Sequence, residues 1–182
     1  MNAPMLLTVL RLVAVPVLVL VMLAKFPGQE IVAFVIFVFA CLTDMLDGFW
    51  ARRKQMTSVL GSLLDPMADK LLITSALIVL VENHVVPAWM AIIIIGREIA
   101  VTGFRAIASS RGYNIPASGW GKLKMIFETV TIAILILGPH HLGLLYRLAH
   151  TVGLWLIVIM ALFSAGEYFI RFGKKVLSES TT

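Results

Sequence analysis

DMLDGFWARRKQMTSVLGSLLDPMADK, residues 44–70, sets four aspartates, Asp44, Asp47, Asp65 and Asp69, into the ends of two strongly apolar stretches. An aspartate at the centre of a membrane helix costs about 2.5–3.5 kcal/mol, and neighbouring like charges add repulsion. Four of them in one short segment imply a positively charged partner.

The surrounding composition makes the cost real. The chain is 60% hydrophobic and 14% charged, with a mean hydropathy of +0.97, which is the composition of an integral membrane protein and not of a soluble domain. Its one cysteine, Cys41, excludes an internal disulfide framework, and no CxxC or Cys/His cluster suggests zinc or an iron–sulfur centre. Cys41 reads as an apolar filler. The net charge of +5 comes from basic residues that flank apolar segments, so membrane topology and anionic lipid explain it better than nucleic acid does.

A membrane-crossing helix takes roughly 20 mostly apolar residues, and six segments qualify, at about 5–24, 31–52, 62–82, 86–108, 121–138 and 150–171. Breakers separate them at Phe26-Pro27-Gly28, Asn83 to Pro87, Gly112 to Gly119 and Gly138-Pro139. The expected fold is all-α: a polytopic membrane protein of six transmembrane helices forming a single domain over 1–182. The first segment lacks a small-x-small cleavage site and reads as a retained helix. Arg52, Arg53, Lys54, Arg105, Arg111, Lys122, Lys124, Arg171, Lys174 and Lys175 fall on one side, against Lys25 and Arg147 on the other. The excess of basic residues puts both termini, and the side bearing the aspartates, in the cytoplasm. His84, His140, His141 and His150 lie in or beside the outer connections without metal-ligand spacing, so they read as interfacial.

Asp44 and Asp47 are three residues apart, and Asp65 and Asp69 four, so on helices each pair shares a face. At 1.5 Å per residue Asp44 lies on the order of 12 Å below the cytoplasmic helix end marked by Arg52, and the 53–60 hairpin returns Asp65 and Asp69 to a comparable depth. Two divalent cations would neutralise the four carboxylates. An all-oxygen donor set favours Mg2+ or Mn2+ over Zn2+ and suits phosphate chemistry. Beside the acids, Gly48 and Ala51 leave a strip without bulk against which a flat ring could lie, and Arg52 can pair with a phosphate. Gly61, Asp65 and Asp69 form an i, i+4, i+8 stripe on the facing helix. Two other readings stay open for the residues alone: Gly48 and Ala51 as a small-residue helix contact, and the carboxylates as a proton or sodium relay in a small ion-coupled transporter.

The pattern Asp44-x2-Asp47-Gly48-x2-Ala51-Arg52-x8-Gly61-x3-Asp65-x3-Asp69 resembles, at every fixed position, the signature of the CDP-alcohol phosphatidyltransferases. The resemblance implies six membrane helices, a homodimer, and transfer of a phosphatidyl group from a CDP-linked lipid such as CDP-diacylglycerol to an alcohol, with release of CMP. It further implies Asp44, Asp47 and Asp65 as metal ligands, Asp69 as general base that also touches the metal site, and Gly48, Ala51, Arg52 and Gly61 as contacts to the CDP moiety.

The acceptor alcohol has to be read from the rest of the chain. Arg97, Val101 and Arg105 fall at i, i+4 and i+8, which turns both arginines the same way, and Lys122 and Lys124 open the fifth span on the same side. Being two apart, only one of the lysines is expected to reach the pocket. A structural pair with Glu98 or an aspartate is the alternative for Arg97. Cations beyond the CDP slot suit an acceptor that brings its own anion, and glycerol 3-phosphate fits. NAPMLLTVLR at 2–11, GRE…GFR at 96–105 and GKLK at 121–124 resemble the bacterial phosphatidylglycerophosphate synthases, a branch of the same family, which implies an inner-membrane enzyme with its site facing the cytoplasm. That branch usually has Thr after GKxK and Gln a few residues on; this chain has Met125 and Glu128. Inositol phosphate, or phosphatidylglycerol as in cardiolipin synthesis, are the alternative acceptors. Asn2, Thr8 and Arg11 either border the site or order the membrane interface.

Overall fold

A computed structural model describes the backbone of residues 3–54, 59–110 and 119–177, and within these the side chains at 9–43, 68, 70–109, 121, 123–167 and 170. All regular structure among the described residues is helical. Helix α1 spans Ala3–Leu23, α2 Gln29–Lys54, α3 Val59–Glu82, α4 Ala88–Ser110 and α5 Gly119–Leu137. Helix α6, Pro139–Leu148, runs through a π-helical turn, Ala149–Gly153, into α7, Leu154–Leu177.

The helix ends follow local chemistry. After α3, His84 adopts φ 57°, and the Val85 amide reaches back to the Leu80 carbonyl at 2.9 Å while the His84 amide reaches Val81 at 3.0 Å. This is the double hydrogen bond of a Schellman cap, with histidine where glycine is usual. Gly138, at φ 78°, closes α5, and Pro139 then starts α6 without needing an amide partner. Helical structure therefore resumes at once, so the last helical stretch begins well before the expected start near residue 150. Gly143 kinks it (φ 27°, ψ −91°), and the π turn absorbs one further residue before α7.

Helix α1 packs on α2 and α3, α4 packs on α7, and α5 packs against α2, α3 and α7. The core is striped: one cluster gathers Ala33, Phe37 and Ala40 of α2 and Leu72, Ala76, Leu77 and Leu80 of α3 with Leu18, Ile94, Ile132 and Ile157 from the other helices. Alternating small and large residues let the helices approach and interdigitate. The outer surface is also apolar: Leu20, Ile92, Ile99 and Phe163 are each more than 60% exposed. That is uneconomical in water and natural in lipid. Trp89 and Trp155, at the starts of α4 and α7, pack at 5.5 Å between ring centroids, as aromatic residues do at a membrane boundary. By length and composition one described stretch, Pro139–Glu167, is long and apolar enough to cross a membrane, and Val9–Leu23 and Gln29–Thr43 are shorter apolar helices.

Candidate active site

The signature residues occupy two neighbouring helices. Asp44, Asp47, Gly48, Ala51 and Arg52 lie in the last turns of α2, and Gly61, Asp65 and Asp69 lie in the first half of α3, which packs on α2. Both segments are helical, which is the condition under which three- and four-residue spacings share a helix face. The side chains of these eight residues, and that of Lys122, lie outside the described residues, as do those of Asn2 and Thr8. As a donor set, four carboxylates on two packed helices fit hard divalent cations such as Mg2+ or Mn2+.

Directly beside this segment lies a buried ionic cluster. Lys70, the residue after Asp69, pairs with Glu98 Oε2 on α4. Glu98 Oε1 takes two more cations, Arg97 Nη1 at 2.6 Å and Lys124 Nζ at 2.5 Å. Lys124 also donates to Glu128 Oε2, one turn further along α5, at 2.7 Å. Arg97 Nε donates to Ser164 Oγ on α7 at 2.9 Å, and Ser164 in turn donates to the Ala161 carbonyl at 3.2 Å. The cluster ties α3, α4, α5 and α7 together. The Lys124 side chain is 1% exposed and that of Arg97 10%, whereas Lys70, at 35%, is where the cluster opens.

The energetics are those of a forced assembly. Because Arg97 Nη1 and Lys124 Nζ share one carboxylate oxygen, they sit within roughly 5 Å of each other, where two unit charges repel by about 3 kcal/mol even at an effective dielectric constant of about 20. Glu98 offsets that repulsion, and three cations share the two carboxylates Glu98 and Glu128.

Of the cations singled out in the sequence, Arg97 and Lys124 enter this cluster and Arg105 does not. Val101 is buried but Arg105 is exposed: eight residues exceed two turns, so Arg105 is rotated about 80° from Arg97. Arg97 does make the Glu98 pair weighed as its alternative. Sequence reasoning did not assign Lys70, Glu98, Glu128 or Ser164 to a site. A usable signal was present, since Lys124 and Glu128 are an i, i+4 pair in an apolar helix, where a charge needs a partner. Arg11 is wholly buried on α1. At the opposite end of the bundle His141 lies 3.7 Å from Glu30 and His150 stacks on Tyr146.

The family profile for CDP-alcohol phosphatidyltransferase matches residues 1–164. The chain belongs to the CDP-alcohol phosphatidyltransferase family. This family consists of membrane enzymes that generally use divalent metal ions, so the reading as a small ion-coupled transporter gives way to an enzymatic one. The chain is 34% identical over 182 residues to a CDP-diacylglycerol–glycerol-3-phosphate 3-phosphatidyltransferase of Bacillus subtilis, with 93% of this chain and 94% of the relative covered. It is 40% identical over 162 residues to a probable phosphatidylglycerophosphate synthase of Mycobacterium tuberculosis, covering 86% of this chain and 77% of that one. A Rickettsia bellii phosphatidyltransferase with the same name as the Bacillus enzyme is 30% identical over 169 residues, covering 92% and 93%. The family assignment accounts for why α2 and α3 carry acids that a purely structural membrane helix would avoid.

Proposed function

We propose that this phosphatidyltransferase moves a phosphatidyl group from CDP-diacylglycerol to glycerol 3-phosphate, giving phosphatidylglycerophosphate and CMP. The observation that carries the reading is the adjacency of Asp69 and Lys70 on α3: the first completes the aspartate signature, and the second joins a cluster that gathers Arg97 and Lys124 from two other helices around Glu98. An acceptor with a hydroxyl at one end and a phosphate at the other suits that adjacency. The names carried by the Bacillus and Rickettsia relatives support the same acceptor.

In this reaction Asp69 takes the proton from the acceptor hydroxyl, whose oxygen forms a bond to the phosphatidyl phosphorus. The bond from that phosphorus to the bridging oxygen breaks, and CMP leaves with the electron pair. Gly48, Ala51, Arg52 and Gly61 hold the CDP moiety, while Arg97, Arg105, Lys122 and Lys124 form the acceptor-phosphate side. Asp44, Asp47 and Asp65, together with Asp69, would hold two ions, Mg2+ or Mn2+. Bound there, such ions offset the negative charge of the diphosphate and of the departing CMP phosphate.

The enzyme is read as one domain over 1–182 with six membrane-crossing helices, α1 to α5 and the continuous α6–α7 stretch. Both termini and the site face the cytoplasm at the inner membrane, among membrane lipids, and the protein is a homodimer. Purified protein given CDP-diacylglycerol, Mg2+ and a panel of glycerol 3-phosphate, inositol phosphate and phosphatidylglycerol should release CMP with the first. Release with only one of the other two would replace the acceptor, and no release with any would overturn the reading.

A further inference from the structure

We infer that Glu98 is a positioning residue for the acceptor-phosphate site: it holds Lys70, Arg97 and Lys124 in a fixed arrangement that receives the phosphate of the acceptor. The inference rests on the proposed use of a phosphorylated acceptor.

Three observations converge on Glu98. It is the one carboxylate in the described cluster that touches three cations, with Arg97 and Lys124 on one oxygen and Lys70 on the other. Those cations come from three different helices, α3, α4 and α5, so no single helix could fix their spacing. Two of the three are also held at a second point: Arg97 by Ser164 and Lys124 by Glu128. Glu98 is itself buried, which locks its side chain. Long cationic side chains lose much rotamer freedom when they grip a phosphate. A cluster assembled beforehand has already met that cost, so the incoming dianion binds without reordering it.

A carboxylate in this place has two other possible duties, and each leaves a different kinetic trace. As a stand-in for the absent phosphate, it would compete with the acceptor, and removing its charge would tighten binding. As a strut between helices, it would affect stability and both substrates together.

The test is steady-state kinetics of purified wild type, Glu98→Gln and Glu98→Asp, varying glycerol 3-phosphate and CDP-diacylglycerol separately, with thermal unfolding in detergent recorded alongside. Glu98→Gln should raise the KM for glycerol 3-phosphate at least tenfold and leave the KM for CDP-diacylglycerol within twofold. Glu98→Asp keeps the charge but draws it back by one methylene, and should raise the same KM by a smaller factor of about three to five. If Glu98→Gln does not fold, Glu98→Asp decides the matter alone. A lowered KM for glycerol 3-phosphate, an unchanged one, or an equal rise for both substrates that tracks a fall in Tm would each overturn the inference. Should the wild type itself release no CMP with glycerol 3-phosphate, it is the acceptor reading that fails, and the variants are not needed to see it.

Discussion

At the scale of single residues, the charged side chains of this phosphatidyltransferase divide into those that chemistry needs and those that the fold also needs. Asp69→Asn removes the expected base while keeping size and polarity, and should lower CMP release by at least about 100-fold, the usual worth of a general base. The rate at saturating substrates checks it. Arg105 and Lys124, both assigned to the acceptor phosphate, should behave differently. Arg105 is exposed, so Arg105→Glu should raise the KM for glycerol 3-phosphate about tenfold, on the scale of a charge-assisted contact, with little change in Tm. Lys124 is buried between Glu98 and Glu128. Lys124→Met leaves two neighbouring acids without their shared cation, which costs about 3–5 kcal/mol in buried pairs. Its Tm in detergent should fall together with its activity, and an unchanged Tm would mean that the cluster relaxes around the loss.

At the scale of elements, the last helical stretch has the least regular course. The Gly143 kink and the π turn over Ala149–Gly153 shift the face that α7 presents to α5. Gly153 lies close against α5: a β-carbon there would stand 3.0 Å from Thr131 Cγ2 and 3.2 Å from its Oγ1. Gly153→Leu should therefore force α5 and α7 apart and lower Tm by several degrees, in line with about 1–3 kcal/mol for overpacking. Gly96→Leu is the control for size, since nothing lies within 4 Å of a β-carbon at that position. Equal Tm values for the two variants would show that the helix contact is loose. The six apolar segments read from hydropathy correspond to α1 through α5 and the α6–α7 stretch, because breakers such as Gly138-Pro139 and the Asn83–Pro87 turn act locally. What hydropathy could not give was the helical character of 139–149, since a short amphiphilic stretch with two histidines reads equally well as a loop.

At the scale of the whole molecule, the proposed topology rests on the apolar exterior and the one-sided distribution of Lys and Arg. In a Cys41→Ala background, cysteines placed singly at Lys25 and Thr182 should be labelled from opposite faces of sealed inner-membrane vesicles by a membrane-impermeant maleimide, with Thr182 labelled from the cytoplasmic face. Labelling of both from one face would remove the proposed orientation. Chelation of divalent ions should abolish CMP release, and added Mg2+ or Mn2+ should restore it; activity that persists in excess chelator would mean that the aspartates serve another purpose.

The aspartate signature was legible in the chain because its spacing is local: three- and four-residue intervals on a helix decide which side chains share a face, whatever the helix packs against. Where helices break was legible for the same reason, from runs of apolar residues and the breakers between them. The Glu98 cluster was not legible, since Lys70, Glu98, Lys124 and Ser164 stand on four helices and nothing in their separation along the chain says that they meet. Only the packing of α3, α4, α5 and α7 brought those charges together. Burial then gave them their character: in a low-dielectric interior an unmatched cation is costly, so Arg97 and Lys124 are drawn into shared ion pairs, whereas Arg105, rotated away from them, remains exposed.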